Sequence, residues 1–262
     1  MSNAVQRLYE LCKATFVGNA VPSPSEIQRL RSLLNSIKPS DVGLDSAGLA
    51  EDQRGFGYAS SNGRRGARFP LVPRFSPPIT YLHVYECSEF SMGIFCLPTS
   101  AVIPLHDHPG MTVLSKLLHG SMHVRSFDWL SPPKGEKGSP LAGRPRLAKR
   151  VLDEVMTAPC DATTLFPTSG GNIHAFTALT PCAVLDVLAP PYCPDGGRHC
   201  TYYHEVSFSG GGFSSGKSTQ RKGGGGGGGD EQSREVGWLE AYEPEGVIIK
   251  SGVYKGPKVI PS

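Results

Sequence analysis

From Ile79 to Phe208 the chain is a succession of short β-prone runs separated by turn residues, with no helical segment between any two of them. The runs are ITYLHVYEC, FSMGIFCLP, TVLSKLLHGSMHVRSFDW, RLAKRVLDEVMTA, TTLFP, NIHAFTALTPCAVLDVLAPPY and CTYYHEVSF. A parallel βαβ architecture needs a helical crossover between strands, and none is available here. Many short strands at this spacing therefore predict an all-β sandwich or barrel over residues 79–208.

The flanks read differently. Residues 1–42 carry two helical patterns. In the first, Val5, Leu8, Leu11, Cys12 and Phe16 recur at helical spacing and leave Gln6, Arg7, Glu10 and Lys13 for solvent. The second opens at Ser23-Pro24-Ser25-Glu26, a capping box with proline in the first turn. It continues through Ile27, Leu30, Leu33, Leu34 and Ile37 and stops near Pro39. These helices are expected to pack on the outside of the barrel. Residues 43–78, rich in Gly, Ser, Arg and Pro, have neither periodicity and predict a long connector. Residues 209–235, including SSGKSTQRKGGGGGGGDEQS, predict a flexible insertion. Their glycines lack both the GxxxxGK[ST] pattern and the strand-to-helix setting of a phosphate loop. Apolar residues return over 236–262, which are expected to add strands to the same single domain.

Charge and cysteine usage narrow the function. A net charge of +3 and a pI near 8.4, with Lys and Arg scattered among acids, argue against nucleic-acid binding. At most, a mildly basic surface steers an acidic protein partner. No apolar run reaches the ~18 residues of a membrane helix, and the N-terminus lacks a secretory pattern. A soluble intracellular protein without membrane association is expected. The seven cysteines, Cys12, Cys87, Cys96, Cys160, Cys182, Cys193 and Cys200, include no Cys-x-x-Cys pair. Neither a disulfide framework nor a thiolate zinc site is suggested, and reduced thiols in cytoplasm or nucleus fit best.

The chemistry centres on PLHDHPG. In a strand, His106 and His108 point the same way, so both imidazoles could grip one cation. A lone His-x-His often has no metal, and the surroundings must decide. Here Pro109-Gly110 break the strand, MTVLSKLLHG resumes it, and Pro167 with Gly170-Gly171 lead to His174 at the start of another β-run. That layout resembles the two motifs of the cupins, whose fold is a double-stranded β-helix or jelly-roll barrel. Cupins usually carry a Glu shortly after the second histidine, but Met111, Thr112 and Val113 stand there. A three-histidine set without that acid resembles the thiol dioxygenases. The segments YLHVYEC, FSMGIFCLP, TLFPTSGGNIHAF, VLDVLAPPY and RHCTYY, together with the histidine motif, are similar to the plant cysteine oxidases of that family. The likeness runs from about Gln6 to Pro257, outside the connector and the polyglycine insertion.

This resemblance implies an all-β cupin with a short N-terminal helical segment and iron(II), Fe(2+), held by His106, His108 and His174. It implies an enzyme that adds both atoms of O2 to the thiol of an N-terminal cysteine on a protein or peptide, giving a sulfinic acid. In plants the family's substrates include group VII ethylene response transcription factors, whose oxidised N-terminus becomes an N-degron. Such an enzyme senses oxygen in the hypoxia response, and a monomer in cytoplasm and nucleus is expected. Three neutral imidazoles leave up to three open positions on an octahedral ion, and zinc with the same ligands lacks the redox chemistry.

Asp186 is a lone carboxylate in an apolar run, where an unpaired charge is costly. The resemblance puts it at the cavity to hold the substrate's amine; otherwise it is a core carboxylate satisfied by backbone donors. Tyr192, after Pro190-Pro191, is expected at the mouth with its phenol near substrate or oxygen, or else packed on the barrel rim. Cys200 and Tyr202 resemble the Cys-Tyr thioether pair of animal relatives, although ordinary strand residues are favoured. His83, His119, His123, His199 and His204 read as structural or surface groups, with His83 and His199 the nearest to the cavity, and Asp107 is expected to face away from its flanking histidines. Two alternatives stay open: a small-thiol dioxygenase acting on cysteine or cysteamine, and a non-catalytic ligand-binding cupin. An enzyme for free cysteine needs a cation for the substrate carboxylate, and the motifs offer only Arg125 and Arg198.

Overall fold

The computed structural model describes residues 3–18, 21–44, 76–130, 145–207 and 236–262. The expected connector over 43–78 lies mostly outside the described residues, and the glycine-rich insertion over 209–235 lies wholly outside them.

Helix α1 spans Ala4–Thr15, capped by Asn3, whose side chain accepts from the Gln6 N–H at 2.8 Å. Helix α2 spans Pro24–Ser36 and begins with the expected capping box between Ser23 and Glu26. The strands are β1 Ile79–Glu86, β2 Ser91–Leu97, β3 Val102–His106, β4 Thr112–His119, β5 Ser121–Trp129, β6 Arg146–Thr157, β7 Thr163–Leu165, β8 Ile173–Ala178, β9 Cys182–Ala189, β10 Tyr202–Val206, β11 Val236–Tyr242 and β12 Ile249–Gly252. Gly120, at φ +88°, makes the tight turn between β4 and β5, a conformation that favours glycine.

The strands form two sheets. One runs β12, β1, β2, β9, β4, β7; the other closes in the order β10, β11, β6, β5, β8, β3. Among the described residues every strand pairing is antiparallel except β12 with β1. Antiparallel sheets packed face to face, with neighbouring strands far apart in sequence, make the expected cupin double-stranded β-helix.

Strands β2, β4 and β9 are buried almost throughout rather than alternating. Their inner face meets the second sheet, and their outer face is covered by the helices. Val5, Leu8, Tyr9 and Cys12 of α1 and Ile27, Leu30 and Leu34 of α2 share one cluster with Met92, Ile94, Leu114, Leu185 and Val187. Each such large side chain contributes about 1.5–3 kcal/mol relative to exposure, so the helices stabilise the sheet that carries Asp186. Residues 236–262 supply β11 and β12 and then return to α1. There the Gln6 amide pairs both main-chain groups of Ile260, at 2.8 and 3.0 Å.

Candidate metal centre

Strand register brings the first and third histidines together. His106 ends β3 and lies opposite His174 on β8, with Ser126 of β5 on the far side of His174 and Tyr202 of β10 on the other side of His106. His108 is not in the same strand, as the alternation argument expected, because β3 stops at His106. The chain leaves His108 by a turn through Gly110, φ +68°, closed by the Met111 N–H on the His108 carbonyl, and the His108 ring meets the other two. Ring centroids are 4.7–4.9 Å apart in all three pairs. One ligating nitrogen from each lies within 4.8 Å of the others, and all three residues are buried.

Two of the tautomers follow from hydrogen bonding. His106 Nδ1 is 2.9 Å from the Pro104 carbonyl oxygen, which only accepts, so Nδ1 carries the proton and Nε2 is free. The Tyr192 hydroxyl donates to the Asp107 carbonyl oxygen at 2.8 Å, and so it must accept from His108 Nδ1, also at 2.8 Å. His108 thus turns a lone pair on Nε2 toward His174 Nε2 at 3.1 Å. Burial pushes His106 down to about 4 and holds His108 and His174 well below the usual imidazole range, with repulsion among the rings adding to it. Three neutral imidazoles converging on one point, two with their outer nitrogens already engaged, are the donor set of a transition-metal ion. A cation would relieve the close approach of His108 and His174.

The facing sheet carries a buried carboxylate. Asp186 is paired in register with Gly93 of β2 and Ser115 of β4. Its same-face neighbours Cys182 and Val184 pack with Leu117, Met122, Val124 and Phe176, so its side chain points inward. Burial raises its pKa from 3.8 to about 7, a hydrogen bond from Ser115 opposes the rise, and Oδ1 has no hydrogen-bond partner. A cavity of about 520 Å³ is lined by His174, Ser115, Ser126, Leu117 and Phe176 and extends to Ile27 and Arg31 of α2.

The model of the PCO_ADO family matches residues 33–259, most of the chain. The chain belongs to this family. Plant cysteine oxidase 1 of Arabidopsis thaliana is 44% identical over 98% of this chain and 80% of its own. Plant cysteine oxidase 2 of the same plant is 42% identical over 97% and 83%. The 2-aminoethanethiol dioxygenase of Homo sapiens is 30% identical over 91% and 83%. These relatives carry the names of enzymes, and this chain is an enzyme of the same PCO_ADO family.

Within this family member, several residues stand elsewhere than the sequence suggested. The Tyr192 phenol is spent on protein partners, the Asp107 carbonyl and His108 Nδ1 with the Cys200 thiol beside it, and burial first of all pushes its pKa well up. Asp107 does turn from the cavity: it accepts from Thr201 N–H at 2.9 Å and Tyr203 hydroxyl at 3.0 Å. Neither His83 nor His199 lines the cavity; His83 is exposed on β1. Arg125 is committed to Glu205 and Asp153, and Arg198 Nε to the Pro191 carbonyl. The arginine that does reach the cavity is Arg31, with Nε bound to the Ala162 carbonyl. Cys200 is a free thiol beside the Tyr192 and Tyr202 phenols, and burial pushes it up to about 11.

Two contributors escaped the sequence reading. Tyr81 lays its ring against Gly93, where a Cβ would collide with it, and its phenol lies close enough to Asp186 to feel that charge. Asn172 binds the main chain of His108. The available signals were a glycine inside the apolar β2 run and a polar residue two before a ligand histidine.

Proposed function

We propose that this PCO_ADO enzyme is an iron(II)-dependent dioxygenase that converts the thiol of a protein's N-terminal cysteine to a sulfinic acid. The overall change is RSH + O2 → RSO2H: the S–H and O–O bonds break, two S–O bonds form, sulfur loses four electrons and dioxygen gains them. The observation that carries this reading is a buried, neutral three-imidazole set without a carboxylate ligand, one of whose members, His174, lines a cavity of about 520 Å³. That volume lies within the ~300–1,000 Å³ range of sites that enclose a drug-sized ligand, and it offers far more room than an aminothiol fills.

Bound by His106, His108 and His174, iron(II) supplies electrons for O2 and open positions where a thiolate and O2 can meet. The protein's own residues do the rest. Pro104 and Tyr192 keep the protons of His106 and His108 on Nδ1, so that both rings remain donors through Nε2. Asp186 receives the substrate's α-ammonium through its unpartnered oxygen, while the Ser115 hydroxyl supports the ionised form. Leu117, Met122 and Phe176 exclude water from the chamber.

Because O2 is consumed, turnover follows its supply, and the enzyme acts as an oxygen sensor. Its protein substrates are group VII ethylene response transcription factors, whose oxidised N-termini serve as N-degrons, and it works as a monomer in cytoplasm and nucleus. The 44% and 42% identity to plant cysteine oxidases supports this over the small-thiol alternative. The second reading, a small-thiol enzyme, draws on the more distant relatives named 2-aminoethanethiol dioxygenase. One comparison decides between them. Iron-loaded enzyme at limiting oxygen is given a Cys-initiated peptide, free cysteine and 2-aminoethanethiol, and each is followed by mass spectrometry for a gain of two oxygen atoms. The peptide is expected to react fastest; faster oxidation of either small thiol would sink the leading reading.

A further inference from the structure

His108 has no strand ladder to hold it, yet its Nε2 must be set against that of His174, which is anchored within β8. The link between them is the side chain of Asn172. Its Oδ1 accepts from the His108 N–H at 3.0 Å, and its Nδ2 donates to the His108 carbonyl at 2.9 Å. One primary amide thus grips both main-chain groups of one residue, much as a neighbouring strand would. The same Nδ2 donates to the Phe166 carbonyl at 2.8 Å. Asn172 is itself held from behind: its N–H and that of Gly171 donate to the Asp128 carboxylate at 2.9 and 3.0 Å. It is only 7% exposed, and each of these polar groups is engaged where water cannot substitute.

We propose that Asn172 is a positioning residue that fixes the spacing of His108 and His174 and couples it to the cavity wall. The covalent path from Asn172 to His174 crosses only Ile173, which is completely buried. Asn172 therefore refers His108 to His174 directly. The other restraints on the loop point elsewhere: Tyr192 ties it to the segment after β9, and Asp107 ties it to β10. Phe166 lines the cavity and its main-chain carbonyl accepts from Asn172, so the same amide ties the His106–His108 loop to a cavity-lining segment.

The inference rests on reading the three histidines as a metal site, and its test separates the two ideas. The full chain is stripped of metal and titrated with Co(II), whose visible absorption reports affinity and coordination geometry without turnover; melting of the metal-free protein is measured alongside. Asn172→Ala is expected to raise the Co(II) Kd by about 10- to 100-fold, the usual effect of losing an outer support to a metal ligand, and to alter the absorption bands. Asp128→Asn, which leaves the Asn172 amide in place but removes the charge behind it, is expected to raise the Kd by a smaller factor. An unchanged Kd and spectrum in Asn172→Ala, with only a lower melting temperature, would reduce the residue to packing and overturn the proposal. Should that variant not fold, an unchanged Kd in Asp128→Asn overturns it. A wild-type chain that binds no Co(II) would instead remove the metal-site reading itself.

Discussion

Replacing Asp186 by asparagine should make the metal-free protein more stable and the enzyme worse. The carboxyl titrates near 7 in the folded chain against 3.8 in the unfolded reference, because burial disfavours its charged form. Between these values the folded state holds a proton that the unfolded state has lost, so stability falls as pH rises through this window and levels off above it. At 1.36 kcal/mol per pH unit the full cost at pH 8 is about 4 kcal/mol, an upper figure that asparagine escapes by carrying no charge. Urea unfolding of both metal-free proteins between pH 5 and pH 8 measures it. Asp186→Asn should be the more stable at pH 8, and its advantage should shrink by roughly 3 kcal/mol on going to pH 5. Turnover of a Cys-initiated peptide should move the other way: loss of a charged hydrogen bond to the substrate amine, worth about 1.5–3 kcal/mol, lowers kcat/KM by roughly 10- to 100-fold. An advantage that does not vary with pH, or a variant less stable than wild type at pH 8, would refute the assignment of a strained buried carboxyl.

Other perturbations probe the remaining parts. His174→Ala removes one of three donors and should abolish stoichiometric metal binding, checked by metal analysis after reconstitution; full occupancy would contradict the cluster. Gly93→Ala sets a methyl group into the Tyr81 ring and should cost about 1–3 kcal/mol in urea unfolding. Adding Tyr81→Ala should recover part of that loss, and strict additivity in the double-mutant cycle would show that the two do not touch. Ser23→Ala breaks the capping box of α2 and should cost about 0.5–2 kcal/mol while leaving Co(II) affinity unchanged.

The three-histidine cluster was legible in the sequence because its chemistry is carried by residue type and order: His106, His108 and His174 stand among turn residues, with no acid after the second. The barrel was legible because its strands are short and uninterrupted by helices. What stayed hidden depends on partners that lie far apart along the chain. His108 belongs to a loop rather than to β3, and the residue that replaces its missing strand neighbour is Asn172, 64 positions away. Tyr192 looked like a substrate contact from its proline-rich approach, but its hydroxyl is used 84 positions back, on His108. The continuous apolar run of β9 fits its burial on both faces, since α1 and α2 cover the outer one.

The division of labour between the two sheets gives the missing acid its physical sense. One sheet and the loop after β3 contribute three nitrogen donors that burial keeps neutral, and the facing sheet contributes Asp186, placed among apolar residues. Had the acid stood among the ligands, it would have cancelled part of the cation's charge and filled a position. On the proposed reading, an acid on the facing sheet would leave a bound cation's full attraction for a thiolate and keep its own charge for an ammonium group. An N-terminal cysteine carries a thiol and an ammonium on adjacent carbons and, being part of a peptide, has no free carboxylate beside them. Free cysteine would bring a second negative charge toward Asp186, and Arg31, which lines the cavity, has its Nε engaged by the Ala162 carbonyl. On the proposed reading, the arrangement that strains the fold at Asp186 is also what selects the end of a protein chain over the free amino acid.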